Sequence, residues 1–307
     1  MNYTIKYGST DKQIDVTNDV RSKCATKNVF YIPSGDGRRS NIFSDPCLGT
    51  LKSIFITDAI GITYIYDHEI DIFIDENGIY TDNIPEYIKT ILENTNIFLV
   101  IKLMEIHSKI KIDFGSLNDE FPEQMMVARY LKGNEKVLEI GGNIGRNTIV
   151  IGSLLNDQKN LVTLESDTNI SNQLIHNRNK NNMTFFVENA ALSKRKLIQK
   201  GWDTFASDIL FDGYSPVKII SWEELQAKYI QFDTLVLDCE GAFYYILMDM
   251  PEILTNINLI IMENDYYEIE KKEYVDSILK QNFVVDYSEK GGWGPCKDRF
   301  FEVWKRV

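Results

Sequence analysis

The feature that most restricts this chain is a series of five short apolar runs after residue 120, each ending in a glycine or an acid. Residues 136–140 read Lys-Val-Leu-Glu-Ile and open onto Gly141-Gly142-Asn143-Ile144-Gly145, with a helical stretch to Leu155 behind. Residues 160–165 form the second run, followed by a polar helix over 169–181, and residues 183–187 form the third. Residues 232–238 and 257–263 are apolar throughout, as strands buried on both faces are. Between them Ser221 and Glu224 have the spacing of a helix capping box. A charged helix is predicted over 269–281, and 283–287 with 300–304 read as a closing antiparallel pair. Strands alternating with helices imply a mostly parallel sheet covered on both faces, an α/β fold.

Upstream the pattern differs. Ser53–Thr57, 62–66 and 70–74 are rich in Ile, Phe, Tyr and Thr and are separated by turn residues, which predicts an antiparallel meander. Residues 84–92 and 99–106 fit helices or further strands. The chain therefore divides into a small β-rich domain, 1–107, and an α/β domain, 108–307. The polar segment 32–39, with Asp36, Arg38 and Arg39, reads as a structural turn; its alternative is a loop that grips an anion or a glycan.

Composition excludes several classes. With 33 Lys and Arg against 45 Asp and Glu the net charge is −12, and no dense basic tract is present, so a nucleic-acid partner is not expected. A cationic ligand or a neutral acceptor such as a sugar suits an acidic protein better. No apolar run approaches the roughly 20 residues that span a bilayer, and the start lacks a secretory pattern, so a cytoplasmic protein without membrane partners is expected. The four scattered cysteines predict reduced thiols rather than disulfides or a zinc site. None of the three histidines lies beside a nucleophile motif.

The candidate site follows from the strand ends. Glu139 closes the first run, and Gly141, Gly142 and Gly145 let the backbone turn tightly against a ligand. Glu165, 20 residues after Gly145 and followed by Ser166, is placed to accept hydrogen bonds from ribose hydroxyls. The turn lacks the GxGxxG pyrophosphate cradle, so a nucleoside without pyrophosphate, such as S-adenosylmethionine, fits better than NAD. Asn189 and Ala190, after the third run, are candidates to meet the adenine through an amide and a backbone group. Asp238 and Glu240 alternate, so a continued strand would point both the same way, and Glu263 brings a third acid to the same edge. Such acids suit a sulfonium, a divalent metal, or a proton taken from an acceptor hydroxyl.

In order and spacing, VLEIGGNIGRNT, TLESD, ENAALS, FDTLVLDCEGAFYYIL and INLIIMEND resemble the FkbM family of S-adenosylmethionine-dependent methyltransferases, over roughly residues 110–307. Glu139 stands where the family has Asp and Gly142 where it has Ala; Asp238, Glu240 and Gly241 match its Asp-x-Glu-Gly signature. The Ile, Asn and Asp richness also looks like giant-virus versions of the family, which are associated with virus-encoded glycans; the location would then be the host cytoplasm. The resemblance implies a Rossmann-like, seven-stranded class I methyltransferase domain whose last strand inserts antiparallel. It implies O-methylation of a small acceptor, commonly a sugar hydroxyl of a glycan or nucleotide-sugar. Glu139, Gly141, Gly142, Asn143, Gly145, Glu165, Ser166, Asn189 and Ala190 would line the cofactor. Asp238, Glu240 and Glu263 would sit nearest the acceptor, one of Asp238 and Glu263 acting as base. No metal ligand is assigned, although magnesium on these acids is an alternative. Trp293, Trp202 and the Tyr244-Tyr245 pair are rim aromatics, with stacking of Trp293 on a sugar as the functional alternative. The front segment is expected to bind acceptor glycan, mediate homodimerisation or hold a second activity. The rivals are a catalytically inactive nucleoside-binding structural module and an NAD-dependent oxidoreductase.

Overall fold

The computed structural model describes residues 3–93 and 95–307, which form two compact units, Met1–Met104 and Glu105–Val307. The first unit runs β1 (Thr4–Gly8), β2 (Gln13–Asp15), α1 (Thr17–Lys23), β3 (Ala25–Thr26), β4 (Val29–Ile32) and α2 (Asp36–Phe43). It continues through β5 (Ser53–Thr57), β6 (Thr63–Tyr66), β7 (Ile72–Ile74), β8 (Ile79–Tyr80), α3 (Glu86–Leu92) and all but the last three residues of α4 (Asn96–His107). The strands make two antiparallel sheets, β2-β1-β5-β6 and β3-β4-β7-β8. The expected meander holds for β5 and β6 but breaks before β7, which pairs with β4 in the other sheet. The reason is burial: Ile72, Phe73 and Ile74 are all covered, whereas β6 is an exposed edge. The two ambiguous segments are helices, so the unit mixes α and β rather than being β-rich.

The polar segment 32–39 also differs from a plain turn. Asp36 opens α2, accepts a hydrogen bond from the Tyr7 hydroxyl at 2.8 Å and pairs with buried Lys52 at 2.8 Å. Arg39 is fully buried and donates to the carbonyls of Pro33 (2.8 Å), Asp67 (2.6 Å) and Ile70. Asp36 and Arg39, two of the three charged residues of the segment, are thus spent inside the unit, because a buried guanidinium is tolerated only with its donors satisfied.

The second unit begins with α5 (Phe121–Tyr130), β9 (Val137–Ile140), α6 (Arg146–Leu154), β10 (Leu161–Leu164), α7 (Thr168–Lys180) and β11 (Phe186–Glu188). A small excursion follows: β12 (Ala191–Leu192), β13 (Leu197–Lys200), β14 (Asp203–Ala206), β15 (Ser215–Val217) and β16 (Ile219–Ile220). The chain then returns through α8 (Trp222–Lys228), β17 (Thr234–Leu237), α9 (Phe243–Asp249), β18 (Leu259–Glu263), α10 (Ile269–Leu279), β19 (Phe283–Glu289) and β20 (Phe301–Arg306). Seven strands form one mixed sheet in the order β11-β10-β9-β17-β18-β20-β19. The first five are parallel, and β20 runs antiparallel between β18 and β19. The capping box at Ser221 forms, with both reciprocal hydrogen bonds present. Leu138, Leu235, Ile260 and Trp304 are all under 2 % exposed in the main core beside the sheet. The excursion over β13–β15, a separate three-stranded antiparallel sheet, has no counterpart in the sequence reading; its strands are short, and β14 is exposed throughout. The four cysteines are free thiols. Among the described residues no helix is long and apolar enough to cross a membrane.

Arg39→Met keeps the stem of the side chain and removes its donors. The buried Pro33 carbonyl and the part-buried carbonyls of Asp67 and Ile70 then lose their donors, a buried one worth roughly 1–3 kcal/mol, so the first unit should lose about 2 kcal/mol or more in urea denaturation. A loss below about 1 kcal/mol would contradict the structural role given to Arg39.

Candidate functional site

Register decides where the strand-end residues go. Ile140 pairs with Leu164 on one side and Leu237 on the other; Leu164 pairs with Glu188, and Leu237 with Met262. One residue further along each strand come Gly141, Glu165, Asn189, Asp238 and Glu263. Five of the residues singled out from sequence therefore lie in one row along the carboxyl edge of the sheet. Strand order reverses between β9 and β17, and the crevice of an open α/β sheet lies at such a reversal.

On the β9 side the turn is shaped by its backbone. Gly141 (φ 93°) and Gly145 (φ 95°) are left-handed, and Asn143 (φ 46°) is a non-glycine residue in the same region, which asparagine tolerates better than most. A Cβ on Gly141 would stand 1.6 Å from the Asp238 carbonyl oxygen, and one on Gly142 would stand 2.1 Å from Thr163 Oγ1. The N–H groups of Gly141 and Gly142 both donate to the Leu164 carbonyl, at 3.0 and 2.9 Å. Asn143 N–H donates to Glu165 Oε2 at 2.9 Å, and Asp167 N–H to Oε1 at 2.8 Å. The Glu165 carboxylate thus ties the glycine turn to the end of β10, and burial raises its pKa. Ser166 takes part through its main chain, its carbonyl accepting from Asn189 Nδ2 at 3.3 Å.

Glu139 is placed differently from the sequence expectation of a residue at the strand's open end. It is 2 % exposed, beneath the turn, and accepts from Thr148 Oγ1 at 2.6 Å. Burial pushes its pKa up to about 7. Asn189 spends its amide on bracing: Nδ2 donates to the Glu165 carbonyl at 2.9 Å, and Oδ1 accepts from Thr168 Oγ1 at 2.9 Å. Ala190 is fully buried and its N–H is bonded to the Glu188 carbonyl at 2.9 Å. Beside them Glu188, the first residue of the ENAALS segment and given no role from sequence, accepts from Lys218 at 2.8 Å, Tyr229 at 2.9 Å and Lys228. Burial alone would raise its pKa, but these three donors overcome that and hold it at about 2.

The β17 and β18 side is acidic. β17 ends at Leu237, and Glu240 adopts φ 50°, so Asp238 and Glu240 are not alternate residues of a continued strand as the sequence suggested. The strand stops because Asp238-Cys239-Glu240-Gly241 turns into α9; Gly241 is left-handed too, and its N–H donates to Asp265 Oδ1 at 2.8 Å. Asp238 is half-buried while Glu240 is exposed. Burial, followed by the charges of Glu120, Asp265, Glu123 and Glu240, holds the Asp238 carboxyl far above the ordinary range. Burial and the charge of Glu240 push Asp265 up to about 7. Burial, Glu123 and Asp238 push Glu263 up to about 11. Glu123 comes from α5 and meets Glu263 carboxyl to carboxyl. Glu120, just before α5, pairs with Arg146 at 2.7 Å and accepts from Asn147 N–H at 3.2 Å. Glu120, Glu123 and Asp265 were missed in sequence. The first two look like ordinary acids at a helix start, and only the fold brings α5 against β18. Among the described residues no group of three or more His, Cys, Asp or Glu has the geometry to hold a metal ion.

Of the rim aromatics, Trp293 is 40 % exposed and packs on Tyr267 with ring centroids 4.4 Å apart. Tyr267 follows Asp265 by two residues, so this aromatic pair flanks the acidic end of the row. Tyr244 and Tyr245 lie on α9, and Trp202 projects from the turn between β13 and β14.

No family model matches the chain, and no curated protein does either. Solved structures do. A ribosomal protein L11 methylase from Lactobacillus delbrueckii subsp. bulgaricus is 14 % identical over 64 % of this chain and 81 % of its own, with a TM-score of 0.40. An O-methyltransferase from Bacillus cereus, in complex with SAH, is 15 % identical over 72 % of this chain and 96 % of its own, also at 0.40. A putative O-methyltransferase from Klebsiella pneumoniae is 15 % identical over 72 % of this chain and 94 % of its own, at 0.37.

Two predictions test this geometry. Gly141→Ala combines a left-handed φ with a backbone clash, and should cost more than about 3 kcal/mol or prevent folding; a melting temperature equal to wild type would refute the close approach of the two turns. The second concerns pH. Glu139 moves from 4.5 to about 7 and Asp265 from 3.8 to about 7, so the folded state holds protons that the unfolded chain releases. Their stabilisation is complete below about pH 4 and is lost as pH rises through 7, by up to roughly 1.4 kcal/mol per pH unit for each proton. Urea denaturation should show falling stability from about pH 5 to about pH 8, with a shallower fall for Glu139→Gln. A stability that rises over this interval would be the contrary result.

Proposed function

We propose that this chain is an S-adenosylmethionine-dependent methyltransferase of class I architecture, transferring methyl to an oxygen of a small acceptor, a sugar hydroxyl on a glycan or nucleotide-sugar. The observation that carries the reading is the row of strand-end residues, which joins a glycine turn and a buried acid on one side to a dense group of carboxyls on the other. The turn and Glu165 suit a nucleoside. The carboxyls of Glu120, Glu123, Asp238, Glu240, Glu263 and Asp265 suit a cation, since Arg146, the guanidinium beside them, is engaged by Glu120 and Asp119. A dinucleotide would place a pyrophosphate against this negative field, which disfavours an NAD oxidoreductase. A purely structural module has no need of so many costly buried acids.

When bound, S-adenosylmethionine supplies a methyl group on a cationic sulfur. Glu165 keeps lone pairs for ribose hydroxyls while its N–H contacts hold it still. The missing Cβ atoms of Gly141 and Gly142 let the turn close onto Asp238 and Thr163, which fixes its backbone at the sheet edge. Glu139 braces that turn from below rather than touching the ligand. With a cationic ligand offsetting the acids around it, Asp238 is ionised and takes the proton of the acceptor hydroxyl as its oxygen forms the new bond, a role worth roughly 10²–10⁴-fold. Tyr267 and Trp293 offer apolar ring surface for the face of a sugar. The resemblance to the FkbM family, and to its giant-virus members, supports a glycan acceptor in the cytoplasm of a host.

Isothermal calorimetry should detect binding of S-adenosylhomocysteine and none of NAD; the opposite pattern would overturn the assignment. Glu165→Ala should weaken S-adenosylhomocysteine by about tenfold or more, the loss of roughly 1.4 kcal/mol. Asp238→Asn should keep that binding and lose at least about 100-fold in turnover on whichever sugar in an acceptor panel supports S-adenosylhomocysteine release.

A further inference from the structure

Glu123 lies in the first turn of α5, a helix that packs against β18 and β20. Its carboxyl meets that of Glu263, the last residue of β18. Oε2 of Glu123 is buried, and no donor among the described residues reaches it. Two carboxylates in such contact cannot both stay charged, because neither oxygen set can donate and burial removes the water that would screen them. A proton between them resolves the repulsion and supplies the missing donor.

We propose that Glu123 is a positioning residue that holds a shared proton on Glu263 at neutral pH, leaving Asp238 as the acceptor of the substrate's proton. This rests on the methyl-transfer reading for its role, though the proton itself does not depend on it. Every neighbouring charge bears on the pair. Glu120 precedes it on the α5 side, Asp238 acts from the turn after β17, where Glu240 bears on Asp238 in turn, and Asp265 follows two residues after the end of β18. Arg146, from the start of α6, opposes them. Burial adds to these acids in raising the proton affinity of Glu263. The pair then carries one negative charge instead of two beside the cofactor's cationic sulfur.

The chemistry balances. The acceptor oxygen bonds to the methyl carbon, the carbon–sulfur bond breaks with its electron pair staying on sulfur, and the hydroxyl proton passes to Asp238. The crevice loses a positive charge at sulfur and gains one as a proton on an acid. Glu263, already protonated and donating to Glu123, does not compete for that proton.

Infrared spectroscopy of protein carrying carbon-13 in its glutamate side-chain carboxyls tests this directly, on the whole chain. Wild type at neutral pH should show a labelled protonated-carboxyl band that disappears only on titration to alkaline pH. Glu263→Gln should abolish this alkaline-titrating band, and Glu123→Gln should lower its midpoint by about one pH unit or more, a tenfold loss of proton affinity. Glu139 contributes a separate band, removed by Glu139→Gln, so the series is run in that background. Far-ultraviolet circular dichroism and a cooperative thermal transition like those of the parent show that Glu123→Gln folds. Absence of the band in the parent, or an unchanged midpoint in Glu123→Gln, overturns the proposal. Failure of wild type to bind S-adenosylhomocysteine overturns the methyl-transfer reading instead and leaves the shared proton standing.

Discussion

Parallel pairing of β11, β10, β9, β17 and β18 in one register is the constraint on which the rest depends. Because each strand is hydrogen-bonded to its neighbour at fixed partners, Ile140, Leu164, Glu188, Leu237 and Met262 end level with one another. Side chains alternate along a strand, so a slip of a single residue would exchange buried leucines for the acids that follow them. The apolar cost of such a slip is several side chains, each worth about 1.5–3 kcal/mol when fully buried. Packing of the core thereby aligns the site.

That alignment concentrates charge. The acids at the ends of β17 and β18, with those at the start of α5, repel one another and resist leaving water. The fold offsets this locally: Arg146 pairs with Glu120, and the Gly241 N–H donates to Asp265. The remainder is met by protons retained on Glu263 and Asp265, whose proton affinities burial and their acidic neighbours raise. Glu188 shows the other solution, since two lysines and a tyrosine keep it ionised although it is 3 % exposed. The two ends of the row thus differ in kind, one braced and ionic, the other proton-holding.

The α/β pattern of the second unit was legible because its apolar runs alternate with helices and are punctuated by glycine and acid. The closing pair β19 and β20 was legible for the same reason. The first unit was read less well. Its strands are two to five residues long, and such runs do not say which partner they choose, as β7 shows by leaving β6 for β4. Arg39 illustrates a second blind spot: a polar turn rich in arginine looks alike whether its guanidinium faces solvent or three main-chain carbonyls of its own unit.

By itself the sequence determined which residues stand at the strand ends, since that depends only on local runs of apolar side chains and the turn residues after them. It therefore pointed to Gly141, Glu165, Asp238 and Glu263 as a set. Tertiary structure alone decided that Glu139 turns inward, that Asn189 and Ala190 are occupied with bracing, and that Glu123 arrives from α5 to meet Glu263. These outcomes hang on contacts between segments far apart in the chain, where burial and proximity set hydrogen bonding and charge, and neither quantity is carried by a residue's identity or its neighbours in sequence.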